Sequence, residues 1–329
     1  MSITQVAREA GVSASTVSRY LRGILNVTPP IAEKINDAAR HYGYSPRPRE
    51  SADENTDIVL IVPVLDNPFY SSLCQSIARM GAAVGYRVDI KLSQGDSRQE
   101  YQLVDTVARE RRYQGLLYAG FSSANKALER VLPAGIRLVL LDESIDDPNI
   151  GSVNSVKVDN YSGAYQAVRY LISLGHRRIA YLSGPVDLST SRDRKRGYQA
   201  ALATEGIQVD ESIVFSGPYT EEFGSSIFPY IIESKEQPTA IFCGSDIAAI
   251  GLLGAAEQYG LKIPDDLSVI GCDGIHVGQW LKPALTTLQQ PIDSIARSAI
   301  ELLSHHGESK HVQLPLNLII RDSTARLDR

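Results

Sequence analysis

Cysteine, methionine and tryptophan are scarce in this 329-residue chain, which holds only three, two and one of them. Cys74, Cys243 and Cys272 are widely spaced and odd in number, so they imply neither a disulfide framework nor a metal cluster. Each stands in or beside an apolar segment and reads as a small buried hydrophobe. Long apolar runs are missing too: Ile58–Leu65 and Leu138–Leu141 are strand-sized, short of a membrane span. No basic segment leads into an apolar core at the N-terminus, so a cytoplasmic protein without a secretory signal is expected. The sequence also lacks a Gly-x-x-x-x-Gly-Lys phosphate loop, a His-Glu-x-x-His zinc helix and a Gly-x-Ser-x-Gly elbow. His305 and His306 read as solvated residues near a helix end, and Asp265 with Asp266 as turn residues. These absences argue against an enzyme, and no cofactor or metal is expected.

What is present begins in the first 22 residues. Ser2 stands three residues before Gln5, the spacing of a capping box. Val6, Ala7 and Ala10 then share one helical face. Gly11 supplies a left-handed residue where that helix must stop. Ser13 starts a second helix that buries Val17, Tyr20 and Leu21 and turns Ala14, Ser15, Ser18 and Arg19 outward. A third helix, from the Thr28 cap and Pro29 through Ile31, Ile35 and Ala38 to Gly43, covers the apolar side of the first two. Two short helices joined by a glycine turn, the second with a small, polar and cationic outer face, suit a DNA major groove. Charge agrees: residues 1–49 carry seven Arg or Lys against three acidic residues, +4, while the whole chain is −5, which leaves −9 for the rest. A basic head on an acidic body fits a head that meets phosphates. The plain alternative is an ordinary helical hairpin.

Composition changes after Tyr44. Residues 45–57 are polar, punctuated by proline and free of bulky apolar side chains, which marks a linker. From Ile58 onward strand-sized apolar segments alternate with longer amphipathic ones. Strands are expected at 57–63, 86–91, 114–119, 138–141, 178–182, 213–215, 240–243 and 267–271. Helices are expected at 68–84, 99–110, 124–132, 161–174, 195–205, 220–233 and 247–259. Strand–helix alternation at this spacing gives parallel sheets with helices on both faces. Two such series imply two similar lobes. The fold class is therefore α/β: an all-α helix-turn-helix head, then a two-lobed doubly wound body whose ligand sits beyond the carboxyl ends of the strands.

In this order the motifs resemble the LacI/GalR family of bacterial transcription regulators over essentially the whole chain. They run from Val6-Ala-x-x-Ala-Gly-Val-Ser-x-x-Thr-Val-Ser-Arg19 through Gly43-Tyr44-x-Pro46 and Asn67-Pro-Phe69 to Leu174-Gly-His-x-x-Ile179. They continue with Arg194-x-x-Gly-Tyr198, Ser245-Asp-x-x-Ala-x-Gly251, Ile263-Pro-x-Asp-Leu-Ser-Val-Ile-Gly271 and Pro283-x-Leu-Thr-Thr287. The resemblance implies a DNA-binding domain at 1–44, a hinge at 45–57, and an effector-binding and dimerisation domain at 58–329. It places one lobe at about 58–157 and 289–315, the other at about 158–288 and 316–329. A homodimer on a near-palindromic operator, usually a repressor, is implied, with affinity set by a small effector, most often a sugar. The protein would be bacterial, cytoplasmic and nucleoid-associated, without a membrane partner.

The resemblance also assigns residues. Arg19 is placed to grip guanine with two hydrogen bonds. Ala14 and Ser15 match the positions that set sequence preference, and Thr16 and Ser18 complete the reading helix. Ser2, Ser13 and Thr28 look like phosphate clamps as well as caps, and Asn26 resembles a further contact. In the cleft the assigned residues are Phe69, Asp142, Arg194, Tyr219, Ser245 and Asp273. The charged ones suit adjacent sugar hydroxyls, and Phe69 or Tyr219 an apolar sugar face. Asp246 is expected to cap its helix. Many relatives carry Asn where Ser245 stands. Residues 45–57 also depart from the family, since they lack the leucine that wedges into the minor groove and hold Glu50, Asp53, Glu54 and Asp57. Little hinge-driven bending of DNA is therefore expected, with Arg47 and Arg49 left to meet phosphate. Competing readings are an exported solute-binding protein and a regulator that answers to a nucleobase.

Overall fold

The computed structural model describes residues 3–21, 25, 27–42, 56–120, 125–143, 153–234, 236–305 and 307–327. The chain divides into two compact units, Met1–Asn55 and Thr56–Arg329.

The first unit has three helices, α1 (Ile3–Ala10), α2 (Ala14–Leu21) and α3 (Pro29–His41). Gly11, at φ +68°, makes the turn between α1 and α2 in a region where a Cβ is strained. Val6, Ala7, Ala10, Val17, Tyr20, Ile35, Ala38 and Ala39 form its core. The small alanines let helix backbones approach closely, and Val17 and Ile35 fill the space between them. Asn36 Nδ2 donates to Tyr20 Oη at 3.2 Å, which fixes α3 against α2.

The second unit continues with β1 (Asp57–Val62), α4 (Pro68–Ala83), β2 (Arg87–Leu92), α5 (Ser97–Glu110), β3 (Gly115–Tyr118), β4 (Arg137–Leu141) and β5 (Asn154–Val158). Then come α6 (Asn160–Ser173), β6 (Ile179–Ser183), α7 (Ser189–Thr204), β7 (Val214–Ser216), α8 (Glu221–Ile232), β8 (Ala240–Cys243) and α9 (Asp246–Gln258). It closes with β9 (Ser268–Asp273), β10 (Thr286–Gln289), α10 (Ile292–Leu303), β11 (His311–Leu314) and β12 (Asn317–Ile319).

These strands form two six-stranded sheets, ordered β11-β5-β4-β3-β1-β2 and β12-β10-β9-β8-β6-β7. Every pairing is parallel except that of β10 with β12. Position for position the two orders match, so each strand of one lobe has a counterpart in the other. The chain crosses between lobes three times: after β5, after β10 and after β11. Central strands such as β1 are apolar throughout because helices cover both faces, while the edge strand β2 is only partly buried. In the second lobe Tyr181 of β6 stacks between Tyr198 of α7 and Phe242 of β8, with ring centroids 4.9 and 5.3 Å away.

Some expected elements differ. The helix read at 124–132 is a five-residue 3₁₀ turn, Lys126–Arg130, because Pro133 follows and disfavours helical backbone before it. Helix α7 begins at Ser189 rather than near Lys195, so the basic run 192–196 lies within it. The three cysteines are free and buried, and burial pushes the Cys74 thiol up to about 11. Among the described residues no helix is long and apolar enough to cross a membrane.

Candidate nucleic-acid interface and ligand cleft

Helix α2 is started by Ser13, whose Oγ accepts the Thr16 N–H at 3.0 Å. The same oxygen lies 2.8 Å from Ser15 Oγ and 2.7 Å from Thr16 Oγ1, so a small polar cluster marks the helix entrance. Val17 and Tyr20 point inward. Helical periodicity then turns Ser15 and Arg19 to the exposed side, one turn apart, flanked by the half-buried Ala14, Thr16 and Ser18. Thr28 is exposed ahead of α3, and its carbonyl accepts from Ile31 and Ala32 at 3.0 and 2.9 Å. The positive end of α2 and the Arg19 guanidinium thus lie on one polar surface of small side chains, which admits close approach of a phosphate backbone and base edges. Ser2 and Asn26, also assigned to DNA, lie outside the described residues, as does the hinge from 45 to 55.

In the second unit, five of the six assigned cleft residues line a single narrow void of about 20 Å³ between the lobes: Phe69, Asp142, Arg194, Tyr219 and Asp273. Asn67 caps α4 by accepting the Phe69 N–H at 3.0 Å, and Pro68 occupies the first turn. This fixes Phe69 at the cleft wall, edge-on to Tyr70 at 5.0 Å. Asp142 follows β4 with a left-handed backbone, φ 67°. Burial in the cleft pushes its carboxyl up to about 7; Glu143 and Asp273 add to the rise and Arg194 opposes it.

Arg194 projects from α7 and is almost fully buried. Its Nε donates to Asn160 Oδ1 at 2.7 Å and its Nη1 to the Gly244 carbonyl at 2.5 Å. Nη2 stands 3.8 Å from Asp273 Oδ1. Two neutral acceptors therefore fix the plane of the guanidinium, and its remaining edge faces Asp273 and the void. Asp273 ends β9, is buried, and accepts from Gln290 Nε2 at 2.9 Å. Burial raises its carboxyl to about 7, against the pull of Arg194. Tyr219 Oη lies 2.9 Å from Ser191 Oγ. Its ring rests on Gly184, where a Cβ would stand 2.0 Å from the ring, so only glycine lets it lie there.

Ser245 does not line this void. It is the N-cap of α9, buried, with Oγ accepting the Ala248 N–H at 3.3 Å. Asp246, read from the sequence as that cap, is instead a buried acceptor for Thr287 Oγ1 at 2.6 Å and the Ile275 N–H at 2.8 Å. The reason is local. The serine already occupies the non-helical position from which a side chain reaches the third amide. The next residue then points at β9, where Gly271 leaves room for its carboxylate.

The void also brings in residues the sequence did not single out, among them Tyr70, Glu143, Leu188, Thr190 and Gln290. Glu143 adjoins Asp142, and Gln290 follows a strand end, the general signal for such a site. In Gln290 the Oε1 is buried and has no hydrogen-bond partner among the described residues. The site thus offers carboxylate and amide acceptors, one fixed guanidinium and apolar ring surfaces. That set binds and orients a small polar molecule.

Comparison with known proteins gives matches to both units. Residues 2–47 match the model described as bacterial regulatory proteins, lacI family, and residues 168–324 match the periplasmic binding protein-like domain. The HTH-type transcriptional repressor CytR of Escherichia coli (strain K12) is 34% identical over 337 residues, covering 99% of this chain and 97% of that protein. A solved structure of the transcriptional regulator CelR in complex with cellobiose has a TM-score of 0.75 at 26% identity, covering 98% of this chain and 99% of that one. A regulator from Enterococcus faecium with bound ribose has a TM-score of 0.75 at 27% identity, covering 83% of this chain and 100% of that one.

Proposed function

This chain belongs to the LacI family of bacterial regulatory proteins and is a transcriptional regulator rather than an enzyme; on that premise we propose that it binds a near-palindromic operator as a homodimer and changes its affinity when a neutral sugar or sugar-bearing molecule fills the interlobe cleft.

The observation that carries the ligand assignment is the set of side chains that line the interlobe void. Asp142 and Asp273 offer paired lone pairs to adjacent hydroxyls, and Arg194 offers a fixed donor edge. The unpartnered Gln290 Oε1 calls for a donor on the ligand. Phe69 and Tyr219 supply ring faces for apolar C–H surface. An anionic ligand such as a sugar phosphate would meet Asp142, Glu143 and Asp273 with only Arg194 to offset them. The ribose and cellobiose held by the two structural relatives support the same class.

For DNA, the exposed Ser15 and Arg19 on α2 support major-groove reading, with Arg19 on guanine. For pairing, the second lobe exposes Val277 and, at 71% of its surface, Trp280, apolar area suited to a second copy of the chain. A ligand that binds one interlobe angle better than another shifts the population toward it. In a pair of chains that angle would set the spacing of two reading helices, which must match half-sites about 34–36 Å apart or a multiple of that. Because residues 45–57 have no wedge leucine, we expect a small operator bend. A permutation assay showing a strong bend would overturn that part.

The test is a thermal-shift screen of the full chain with pentoses, hexoses, disaccharides, sugar phosphates, nucleosides and free nucleobases. A ligand at a hundred times its Kd adds about 2.7 kcal/mol. A neutral sugar-bearing compound should raise the transition, and sugar phosphates should not. A shift produced by a free nucleobase alone would replace the sugar reading with a nucleobase one.

A further inference from the structure

Helix α7 begins without a cap of its own. Its N-cap position is Leu188, whose side chain accepts nothing. The first amides of a 16-residue helix would then be buried without partners at its positive end. They are satisfied from the other lobe. Glu143, two residues past β4, reaches across the cleft. Its Oε2 accepts the Ser189 N–H at 2.6 Å and the Ser189 hydroxyl at 2.7 Å. Its Oε1 accepts the Thr190 N–H at 3.3 Å and also the Thr190 hydroxyl.

Strand β4 and helix α7 belong to different lobes, so four hydrogen bonds to one carboxylate span the cleft. Glu143 and Thr190 are buried, exposing 8% and 3% of their surfaces, and Ser189 is half-buried. A carboxylate on helix amides is a charge-assisted cap, stronger than a neutral pair. The contact is also continuous with the ligand-lining residues. Asp142 adjoins Glu143, Ser191 of the same helix turn holds Tyr219, and Arg194 stands one turn further along.

We propose that Glu143 is an interlobe latch: by supplying the cap that α7 lacks, it ties the two lobes together, and opening of the cleft requires the carboxylate to leave the helix end. The device is independent of which molecule enters the cleft. Removing the carboxylate removes this cap of α7 and frees the lobes to part. Small free carboxylates can then take its place at the helix end.

The experiment uses the full chain with spin labels at Val84→Cys and Tyr259→Cys. Both positions are exposed, one in each lobe, and the native cysteines are buried. Pulsed-dipolar distances are compared for this parent, for Glu143→Ala and for Ser189→Pro. Proline at the first helical position keeps the helix start but deletes two of the four donors from the opposite side. Both variants should shift the label distance by several ångströms and broaden it, with unchanged far-ultraviolet circular dichroism. Acetate, but not chloride at equal ionic strength, should return Glu143→Ala to the parental distance. An unchanged distance in Glu143→Ala would overturn the latch, as would a shift that acetate leaves in place and Ser189→Pro does not reproduce. If Glu143→Ala fails to fold, Ser189→Pro alone decides by the same shift or its absence.

Discussion

Asp142 and Asp273 stand at matching points of the two lobes, one just past β4 and the other at the end of β9, and both have positive φ, 67° and 127°. Strands β4 and β9 hold the same place in their sheets. The pseudo-symmetry of the body thus brings two carboxylates to the cleft from opposite sides, each on strained backbone. Strain of this kind is retained where surrounding structure enforces it, and it gathers at binding sites. Placing two such acids close together costs stability in the unliganded protein and gains a site whose acceptors are already aimed.

That cost has a pH signature. The Asp273 carboxyl is raised from its ordinary 3.8 to about 7, first by burial. Between those values the unfolded chain ionises while the folded one stays protonated, so this residue's contribution is full at low pH and falls as pH rises toward 7. Asp273→Asn should remove this residue's share of the dependence and leave that of Asp142. Denaturant unfolding should show the variant more stable than the parent by about 1–2 kcal/mol at pH 8, with the gain gone near pH 4. A gain that grows toward acid would contradict the assignment. The same variant should lose its effector-induced thermal shift.

Arg194 is positioned by its fork. Nε on Asn160 and Nη1 on Gly244 leave one edge for ligand. Lysine keeps the charge but presents a point donor. Arg194→Lys should therefore fold, yet bind the effector at least tenfold more weakly, about 1.4 kcal/mol. Calorimetry with the compound found in the screen checks this, and near-parental affinity would show that charge alone is sufficient.

On the head, Arg19 is exposed and its removal should leave folding untouched. Arg19→Ala should cost about 1–3 kcal/mol of operator affinity and relax selectivity at one base pair of each half-site. Fluorescence anisotropy against single-base operator variants reads both effects. Equal losses on every sequence would reassign Arg19 to phosphate.

Gly11 tests the turn. At φ +68° an alanine is strained even though nothing lies within 4 Å of its Cβ. Gly11→Ala should lower the stability of the helical unit by about 1 kcal/mol and weaken DNA binding, while the thermal transition of the effector unit stays in place. Loss of both transitions together would contradict independent folding of the two units.

Much of this was legible in the sequence where the signal is local. The head could be read because caps, a glycine and helical periodicity lie within a few residues of one another. Strand–helix alternation was equally plain in β1, β3, β4 and β8, whose apolar runs are unbroken. Cleft residues came from the family resemblance, and they stand just past strands or at the heads of helices. What escaped was short or distant. Strands β11 and β12, four and three residues long, carry no run to detect. Gln290 went unnoticed with β10, the strand it follows. Glu143 pairs with residues 46 and 47 positions away, and nothing near it in the chain marks it as the cap of a helix that starts with leucine. The Ser245-Asp246 pair shows a competition between adjacent residues: either side chain has the chemistry of a cap, and backbone geometry gave that place to serine.

The most direct measurement is an anisotropy titration of the full chain against a DNA site recovered by footprinting, at one fixed salt concentration, with and without saturating effector. The expected result is a cooperative two-chain complex on a symmetric site, lost in Arg19→Ala, with a midpoint that effector moves at least tenfold in the parent and not in Arg194→Lys. A midpoint unmoved by any compound that stabilises the cleft would contradict the coupling of ligand to DNA, and binding indifferent to Arg19 would contradict the reading helix itself.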